Sequence, residues 1–372
     1  MRRIAGILIF ALVMWSGCRQ VAAVSAQAAI VVEQSTGRVL WESNADQVLP
    51  MASTTKIMTA LCVLENTGLD EVVVIEKGMC GIEGSSMYLE EGEELTVEQL
   101  LYGLMLRSGN DAATALAIHV GGSVEGFVEI MNQKAEELGL KSTRFANPHG
   151  LPAEGHYTTA RELACITAAA YENERFCSIV RTERMVVPWK GHPYDRAMAN
   201  KNKILTIYEG GNGVKTGYTK AAGRCLVAGA ERERMQVIAV VLNAPDMWTD
   251  CTEMMDRAFE EYDMVQVMRE NEVAGQVGFA FTEEKADVVA GGTAELPLKK
   301  GEEAEVVFHL PEKMETGVAQ GEQIGYAIIE GKGTVTITVP LLAAQTVEVS
   351  AAARYAYALE HILGSWYYLL SQ

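Results

Sequence analysis

Apolar residues alternate or run together in two short segments near the beginning of the chain and in three segments after residue 210. The turn-forming residues 35–37 separate the first two segments, and the polar residues 231–234 separate the last two, as in β-hairpins. Each segment is therefore predicted to be a strand. The predicted strands are Ala29–Glu33, Arg38–Glu42, Val214–Thr219, Arg224–Ala230 and Met235–Asn243.

Between these strands, apolar residues recur three and four positions apart, which is the spacing of a helix with one buried face. Ile57, Leu61 and Leu64 have this spacing, and Pro50 precedes them. Strands at both ends with helices between them favour an α+β fold, in which helices flank one mixed, mostly antiparallel sheet. The predicted helices are Ser53 to about Asn66, Thr96–Met105, Asp111–Val120, about Val124–Leu138 and Asp246 to about Val267.

The chain after residue 270 has a different pattern, with short apolar or alternating segments that are separated by glycine-rich turns. This pattern predicts a small all-β sandwich that forms a separate domain. The expected division is an α+β domain over 27–267 and a β domain over 268–350. The predicted strands of the β domain are Gly278–Phe281, Ala304–Phe308, Ile324–Ile328 and Thr334–Val339.

The last residues, 351–372, are predicted to form an amphipathic tail. Its helix could lie in a membrane interface, where Trp and Tyr rings sit at headgroup depth. Because the tail has almost no basic residues, a helix that packs on its own protein is the alternative. The residues on the apolar stripe are Tyr355, Leu359, Ile362, Leu363, Trp366 and Leu370.

The N-terminus has the parts of an export signal. Arg2 and Arg3 carry positive charge, and Ile4–Trp15 is apolar but too short to span a bilayer as a mature helix. Small residues follow, and cleavage after Ala26 would remove residues 1–26. The alternative is lipidation at Cys18. The sequence therefore predicts an exported protein.

Composition narrows the expected partners and cofactors. Hydrophobic residues make up 49% of the 372 residues, which indicates a globular protein with a sizeable core. The 31 Lys and Arg against 49 Asp and Glu give a net charge of −18, so nucleic acid is not an expected partner. The other six cysteines show no zinc-type spacing, so neither a metal nor a cofactor is expected. Disulfide pairing and buried free thiols both stay open.

A serine and a lysine begin the first predicted helix, in Ser53-Thr-Thr-Lys56. The spacing puts both side chains on one face of the first turn, where the lysine nitrogen can reach the hydroxyl. A neutral amine can take the serine proton and activate a nucleophile, and free N–H groups at a helix N-terminus can stabilise an oxyanion. About one S-x-x-K is expected by chance in such a chain, so this motif means little alone.

Two further short motifs carry groups suited to substrate binding. Ser108 and Asn110, between two predicted helices, offer a hydroxyl that can relay a proton and an amide that can hold a peptide group. The alternative is a turn that only caps the next helix. Lys215, Thr216 and Gly217 lie in a predicted edge strand, where a cation and a hydroxyl can hold a carboxylate. The alternative is a solvated strand end.

The three motifs together, 55 and 107 residues apart, resemble those of penicillin-recognising serine peptidases. More specifically, the chain is similar to the low-molecular-mass penicillin-binding D-alanyl-D-alanine carboxypeptidases of serine peptidase family S11. The resemblance covers about Ala29 to Val265, and the predicted β-sandwich matches the family's usual C-terminal domain. The similar segments are Met51–Ala60, Gly84–Leu89, Leu106–Ala112, Asn147–Leu151 and Gly213–Thr219.

The resemblance implies a β-lactamase/DD-peptidase-like fold, an acyl-enzyme mechanism without cofactor, and work at the extracytoplasmic face of a bacterial membrane or in the cell wall. Ser53 would attack the carbonyl between two terminal D-alanines of a peptidoglycan stem peptide, and Lys56 would take its proton. Backbone N–H groups of Ser53 and Tyr218 would hold the oxyanion, and Ser108 would relay a proton to the leaving D-alanine. Penicillins would acylate the same serine.

The resemblance also implies the substrate-binding residues. Asn110 would hold the substrate amide, while the strand that carries the third motif would bind the free carboxylate. A neutral Lys56 is required, and we expect Lys215 and partial burial to lower its pKa. His149 and His156 are assigned to structure. The implied binding residues are Asn110, Lys215, Thr216, Gly217, Tyr218 and Thr219.

One residue departs from the family pattern, because many members have His where this chain has Tyr218. The backbone N–H is the same, but the pH optimum and substrate fit can differ. The alternatives are a DD-endopeptidase of peptidoglycan crosslinks, a serine β-lactamase and a non-catalytic wall-binding protein. Ser-Gly-Asn in place of Ser-Asp-Asn and the β domain disfavour the lactamase, and the full set of catalytic residue types disfavours the binding protein.

Overall fold

The computed structural model describes residues 24–280, 282–331 and 335–352, together with 355–359 and 362–363. Most of the predicted export signal, including Cys18, lies outside these residues, as do Phe281, Thr334, Trp366 and Leu370. Among the described residues, no helix is both long enough and apolar enough to cross a bilayer.

The N-terminal part of the chain contains both strands and helices. Its strands are β1 (Ala28–Glu33), β2 (Val39–Ser43), β3 (Val72–Val74), β4 (Glu94–Thr96), β5 (Arg184–Val187), β6 (Arg196–Ala199), β7 (Gly211–Thr219), β8 (Gly223–Arg232) and β9 (Met235–Leu242). Its helices are α1 (Lys56–Asn66), α2 (Val97–Tyr102), α3 (Asn110–Gly121), α4 (Val124–Glu137), α5 (Ala160–Tyr171), α6 (Glu174–Arg181), α7 (Ile204–Ile207) and α8 (Met247–Glu261).

A five-stranded sheet in the order β2-β1-β9-β8-β7 forms the centre of this part. All four neighbouring pairs are antiparallel, whereas the sequence predicts a mixed, mostly antiparallel sheet. The tight turns between β7, β8 and β9 explain this, because a short turn can only join antiparallel neighbours. One face of the sheet packs on α1, α5 and α6, and the other packs on α8, which is why β8 and β9 are almost continuously apolar. Strand β7 lies at the edge, as predicted.

The C-terminal part consists of strands that form two sheets. Six of them pair in the order β14-β16-β17-β12-β11-β15, and β10 pairs with β13. Apolar side chains of both sheets share one core, so the all-β nature predicted for this part is confirmed. The strands are β10 (Tyr262–Met268), β11 (Val273–Phe279), β12 (Thr282–Ala290), β13 (Ala294–Lys299), β14 (Glu305–His309), β15 (Lys313–Met314), β16 (Gln323–Gly331) and β17 (Val335–Ala343).

Two predicted helices differ from the structure in their C-terminal parts, one in its helix type and the other in its length. The helix predicted over Thr96–Met105 changes after Tyr102 into a wider π turn, Gly103–Arg107, which ends at Ser108. The helix predicted to about Val267 ends at Glu261, and β10 follows directly. Strand β10 forms because it pairs with β13, about thirty residues later. Local helical spacing contains no information about such a partner.

Arg38, in the turn between β1 and β2, joins the two parts of the chain. Its side chain is 8% exposed and donates to the carbonyl of Pro297 and to both carboxylate oxygens of Glu302, at 2.8 and 2.9 Å. The guanidinium also lies over the Tyr262 ring, 5.2 Å from its centre. One guanidinium nitrogen thus donates to both carboxylate oxygens and the other to the backbone, so a buried, charge-assisted contact ties the two parts together.

We expect Arg38→Ala to lower the free energy of unfolding by about 3 kcal/mol, because it leaves the buried Glu302 carboxylate without its guanidinium. Arg234→Ala is the matched control, since Arg234 pairs with Glu295 but is 63% exposed. That change should cost less than about 1 kcal/mol. Urea unfolding of both variants measures the difference, and equal losses would contradict the prediction.

Candidate active site

Ser53 lies in a short 3-10 turn, Ala52–Thr55, directly before helix α1. Ala52 has a φ of 48°, a left-handed backbone that is strained for a residue other than glycine. Two glycines approach this turn closely. A Cβ on Gly150 would lie 1.9 Å from the Ala52 oxygen, and one on Gly217 would lie 3.1 Å from the Ser53 nitrogen. A side chain at Gly150 would clash with this backbone, and one at Gly217 would force the turn to shift by a few tenths of an ångström.

The Lys56 side chain is fully buried at the centre of the site. Its Nζ atom lies 3.2 Å from Ser53 Oγ, 2.7 Å from Asn110 Oδ1 and 2.6 Å from the carbonyl oxygen of His149. The structure thus brings the first two motifs into direct contact through one nitrogen. The carbonyl of His149 was not predicted, because a backbone oxygen has no signal in the sequence.

Burial is the main reason that the pKa of Lys56 lies well below its usual value, and the positive charges of Lys215 and Lys201 lower it further. The Asp111 carboxylate acts in the opposite direction. The expected direction is therefore confirmed, although burial is complete rather than partial. The result is an amine that loses its proton more readily than an exposed lysine does and can then accept one from Ser53 Oγ.

The π turn positions the second motif. It ends at Ser108, which is buried and has left-handed backbone angles, φ 60° and ψ 35°. Asn110 begins helix α3. Its side-chain N–H donates to the Glu83 carbonyl, and its side-chain oxygen accepts a hydrogen bond from Lys56 Nζ.

Asp111 orders one wall of the site, a role that the sequence did not indicate. Its buried carboxylate accepts hydrogen bonds from the Ser86 hydroxyl and from the backbone N–H groups of Met87 and Leu89. These contacts hold the segment 84–89, whose Ser85 carbonyl accepts from the Asn110 backbone N–H at 2.7 Å. An acidic residue in the first turn of a helix was the available signal, but it also fits an ordinary helix start.

Strand β7 supplies the third motif. Lys215 is buried, and its ammonium donates to the Thr216 carbonyl at 2.9 Å. Burial, and secondly the charge of Lys201, lower the pKa of Lys215 to about 7. Tyr218 is 66% exposed, and the Thr219 hydroxyl accepts from the Ala222 backbone N–H at 3.0 Å.

Lys201 is a third cation at this site that was not predicted. Its Nζ donates to the Ser85 hydroxyl at 3.0 Å, and burial together with Arg107 lowers its pKa. Three lysines therefore lie close enough to interact in a chain with a net charge of −18. Lys201 and the protonated form of Lys215 favour an anionic substrate group here, against the overall charge of the protein.

Nothing among the described residues suggests a metal, because no group of three or more His, Cys, Asp or Glu side chains could hold one. The six cysteines of residues 24–372 are all free thiols, which answers the question that the sequence left open. Burial is the largest cause that raises the pKa of each thiol. The cysteines are Cys62, Cys80, Cys165, Cys177, Cys225 and Cys251.

Comparison with known proteins gives the same picture as the geometry. A family model described as D-alanyl-D-alanine carboxypeptidase matches residues 17–246. D-alanyl-D-alanine carboxypeptidase DacF of Bacillus subtilis (strain 168) is 32% identical over 355 residues, which cover 92% of this chain and 90% of that protein. The D-alanyl-D-alanine carboxypeptidase of Streptomyces sp. (strain K15) is 35% identical over 63% of this chain and 88% of its own length.

Solved structures extend the likeness to the fold. Penicillin binding protein 5 from Haemophilus influenzae has a TM-score of 0.74 and 25% identity, and the match covers 88% of this chain and 99% of that one. A mutant of the Streptomyces K15 DD-transpeptidase has a TM-score of 0.60 and 35% identity over 64% of this chain and 99% of that one. The predicted α+β fold class is thereby confirmed. The chain belongs to the D-alanyl-D-alanine carboxypeptidase family, S11, of serine peptidases.

Proposed function

We propose that this protein is a serine-type D-alanyl-D-alanine carboxypeptidase that removes the terminal D-alanine from the peptidoglycan stem pentapeptide. The observation that carries the proposal is the 3.2 Å contact between Lys56 Nζ and Ser53 Oγ. The lysine is fully buried and its pKa is lowered, so the amine can take the hydroxyl proton as the oxygen attacks. Membership of the family supports the same reaction.

The proposed acylation uses the groups around this pair. Ser53 Oγ attacks the carbonyl of the penultimate D-alanine, and its proton passes to Lys56 Nζ. The backbone N–H groups of Ser53 and Tyr218 stabilise the negative charge on the carbonyl oxygen. The C–N bond then breaks, the proton reaches the leaving amine through Ser108, and D-alanine departs. Water hydrolyses the resulting ester and restores Ser53.

Specificity for a free C-terminus follows from the cations of the cleft. Lys215, with the hydroxyls of Thr216 and Thr219, binds the terminal carboxylate, and Asn110 holds the substrate amide. Gly217 keeps the edge of β7 open to the substrate backbone, which its close approach to Ser53 supports. Penicillins carry a carboxylate and a reactive amide in a similar relation, so they acylate the same serine.

Ser53→Ala is expected to abolish acylation by benzylpenicillin and release of D-alanine, because it removes the attacking oxygen. Intact-mass spectrometry after incubation with the drug measures the adduct. Ser123→Ala is the control, since Ser123 caps helix α4 by accepting from the Gly126 N–H at 3.0 Å. It should lose about 1 kcal/mol of stability but acylate normally. D-alanine release by Ser53→Ala would refute the assignment.

The fate of the wild-type adduct separates the alternatives. A lasting adduct with D-alanine release from pentapeptide supports the carboxypeptidase, while cleavage of crosslinked dimers alone would favour a DD-endopeptidase. Rapid loss of the adduct with hydrolysed drug would indicate a β-lactamase. Absence of both adduct and hydrolysis would indicate a non-catalytic wall-binding protein.

The pH dependence of acylation should be bell-shaped for an anionic drug. Protonation of Lys56 stops acylation on the acid side, and Lys215 loses the charge that binds the carboxylate as the pH rises through its pKa of about 7. A penicillin methyl ester has no carboxylate, so its slower acylation should keep the acid limb and lack the alkaline one. Second-order acylation rates of both compounds between pH 5 and pH 10 test this. An alkaline limb shared by both would exclude Lys215 as its source.

We also propose the predicted division into an export signal over 1–26, a catalytic domain over 27–267, a β domain over 268–350 and a tail over 351–372. Separate hydrophobic cores on either side of β10 support the two domains.

Cleavage after Ala26 would remove Ser25, whose N–H and hydroxyl donate to Asp250 at 3.0 and 2.7 Å. The mature protein works outside the cytoplasm, where peptidoglycan lies.

We propose that the tail rests on the membrane surface. Its described segments, 355–359 and 362–363, are helical, and Tyr355, Leu359, Ile362 and Leu363 are all more than half exposed. The full chain should therefore cosediment with phosphatidylglycerol vesicles, whereas a chain that ends at Val349 should not. A Leu359→Glu, Leu363→Glu double variant is the matched control and should stay in solution. Equal cosedimentation of all three would contradict the proposal.

A further inference from the structure

We propose that His156 is a positioning residue for the reaction: its neutral ring fixes, through the Thr55 hydroxyl, the strained turn that carries Ser53. The inference rests on the proposed role of Ser53 as the nucleophile. His156 lies in the loop before helix α5 and is 7% exposed. Among the described residues, its ring hydrogen bonds go to Thr55 and to the Ala146 backbone N–H, so the hydrogen-bonded connection to Ser53 runs through Thr55.

The hydrogen bonds of His156 determine which ring nitrogen carries the proton. The Ala146 backbone N–H points at His156 Nδ1 at 3.0 Å, and a backbone N–H can only donate. Nδ1 is therefore the acceptor, and in a neutral ring the proton lies on Nε2. Nε2 is 2.8 Å from Thr55 Oγ1, so it donates to that hydroxyl.

The donation from His156 sets the direction of the Thr55 hydroxyl. With its oxygen occupied as an acceptor, Thr55 turns its proton to the Ala52 carbonyl, 2.7 Å away. That carbonyl belongs to the residue with a φ of 48°, and Gly150 packs against its other side. A chain of two hydrogen bonds thus runs from the His156 ring to the strained residue directly before Ser53.

The arrangement requires an uncharged ring. A second proton on Nδ1 would place two N–H donors against each other at the Ala146 contact. Lys56 on helix α1 faces the ring and, after burial, is the second cause that lowers the pKa of His156 to about 4. His149, the other titratable neighbour, has its own pKa lowered to about 4 by burial, Lys56 and His156. As the pH falls through about 4, the ring gains a proton on Nδ1 and loses the Ala146 hydrogen bond that orients it toward Thr55.

Two non-titrating substitutions separate this role from ordinary packing. In His156→Gln the amide nitrogen can replace Nε2 as the donor to Thr55, whereas in His156→Asn the shorter side chain can replace only Nδ1. Purified full-length variants are acylated with benzylpenicillin, and the first-order acylation rate and the drug's dissociation constant are fitted separately. We expect Gln to acylate within about threefold of wild type and Asn about tenfold to a hundredfold more slowly, with unchanged dissociation constants.

Thr55→Val removes the middle of the chain while keeping the side-chain shape. We expect it to slow acylation as much as His156→Asn does, and the double variant to be no slower than either single one, because both break the same connection. Losses that multiply in the double variant would overturn the proposal.

The pH profile gives a readout that packing alone would not move. Lys56 titrates in both proteins, so the ratio of the His156→Gln rate to the wild-type rate removes most of its effect. A charged His156 ring would lower the pKa of Lys56 and so lower this ratio, which opposes the expected change. We expect this ratio to rise as the pH falls from 6 to 4, since only the wild-type ring gains a proton. A flat ratio, or His156→Asn rates equal to wild type, would overturn the proposal. If the wild type forms no Ser53 adduct at any pH, the proposed function fails instead.

Discussion

Burying a charged lysine ammonium away from water is unfavourable, and the catalytic part of the protein is arranged around one fully buried lysine, Lys56. Lys56 is held by a serine hydroxyl, an amide oxygen and a backbone carbonyl, none of which carries a charge. These partners satisfy its N–H groups but do not stabilise the cation as a carboxylate at the same distance would. The surroundings therefore favour the neutral form, which is the form that can accept a proton.

The fold explains how such a lysine is kept in place. Helix α1 is enclosed by α3 and α5 and by one face of the sheet, so its first turn cannot move independently of the core. The edge strand β7 reaches the same turn from the other side, where Gly217 removes the obstacle of a side chain. Rigid elements on both sides give a fixed distance between Ser53 and the strand that is proposed to hold the substrate.

Much of this could be read from the sequence, because the information was local. The apolar runs of β8 and β9, the turn between them and the spacing of Ile57, Leu61 and Leu64 each depend on adjacent residues only. The structure also brings Lys56 to Ser53 and Asn110, as the motifs indicate. The features that could not be predicted depend on distant partners: β10 forms against β13, and Asp111 holds the segment 84–89. The His149 carbonyl could not be predicted either, because every residue has a backbone carbonyl.

The six free thiols have a consequence for how the protein is made. Outside the cell, where we propose that it works, a reduced cysteine is exposed to oxidants, and the species that reacts is the thiolate. In the folded chain the pKa of all six thiols is raised, so the reactive form is rare at neutral pH. An unfolded chain lacks that protection. Folding and thiol oxidation therefore compete while the chain is being folded. If the core closes before the thiols are oxidised, the protein needs neither disulfides nor an isomerase to remain intact.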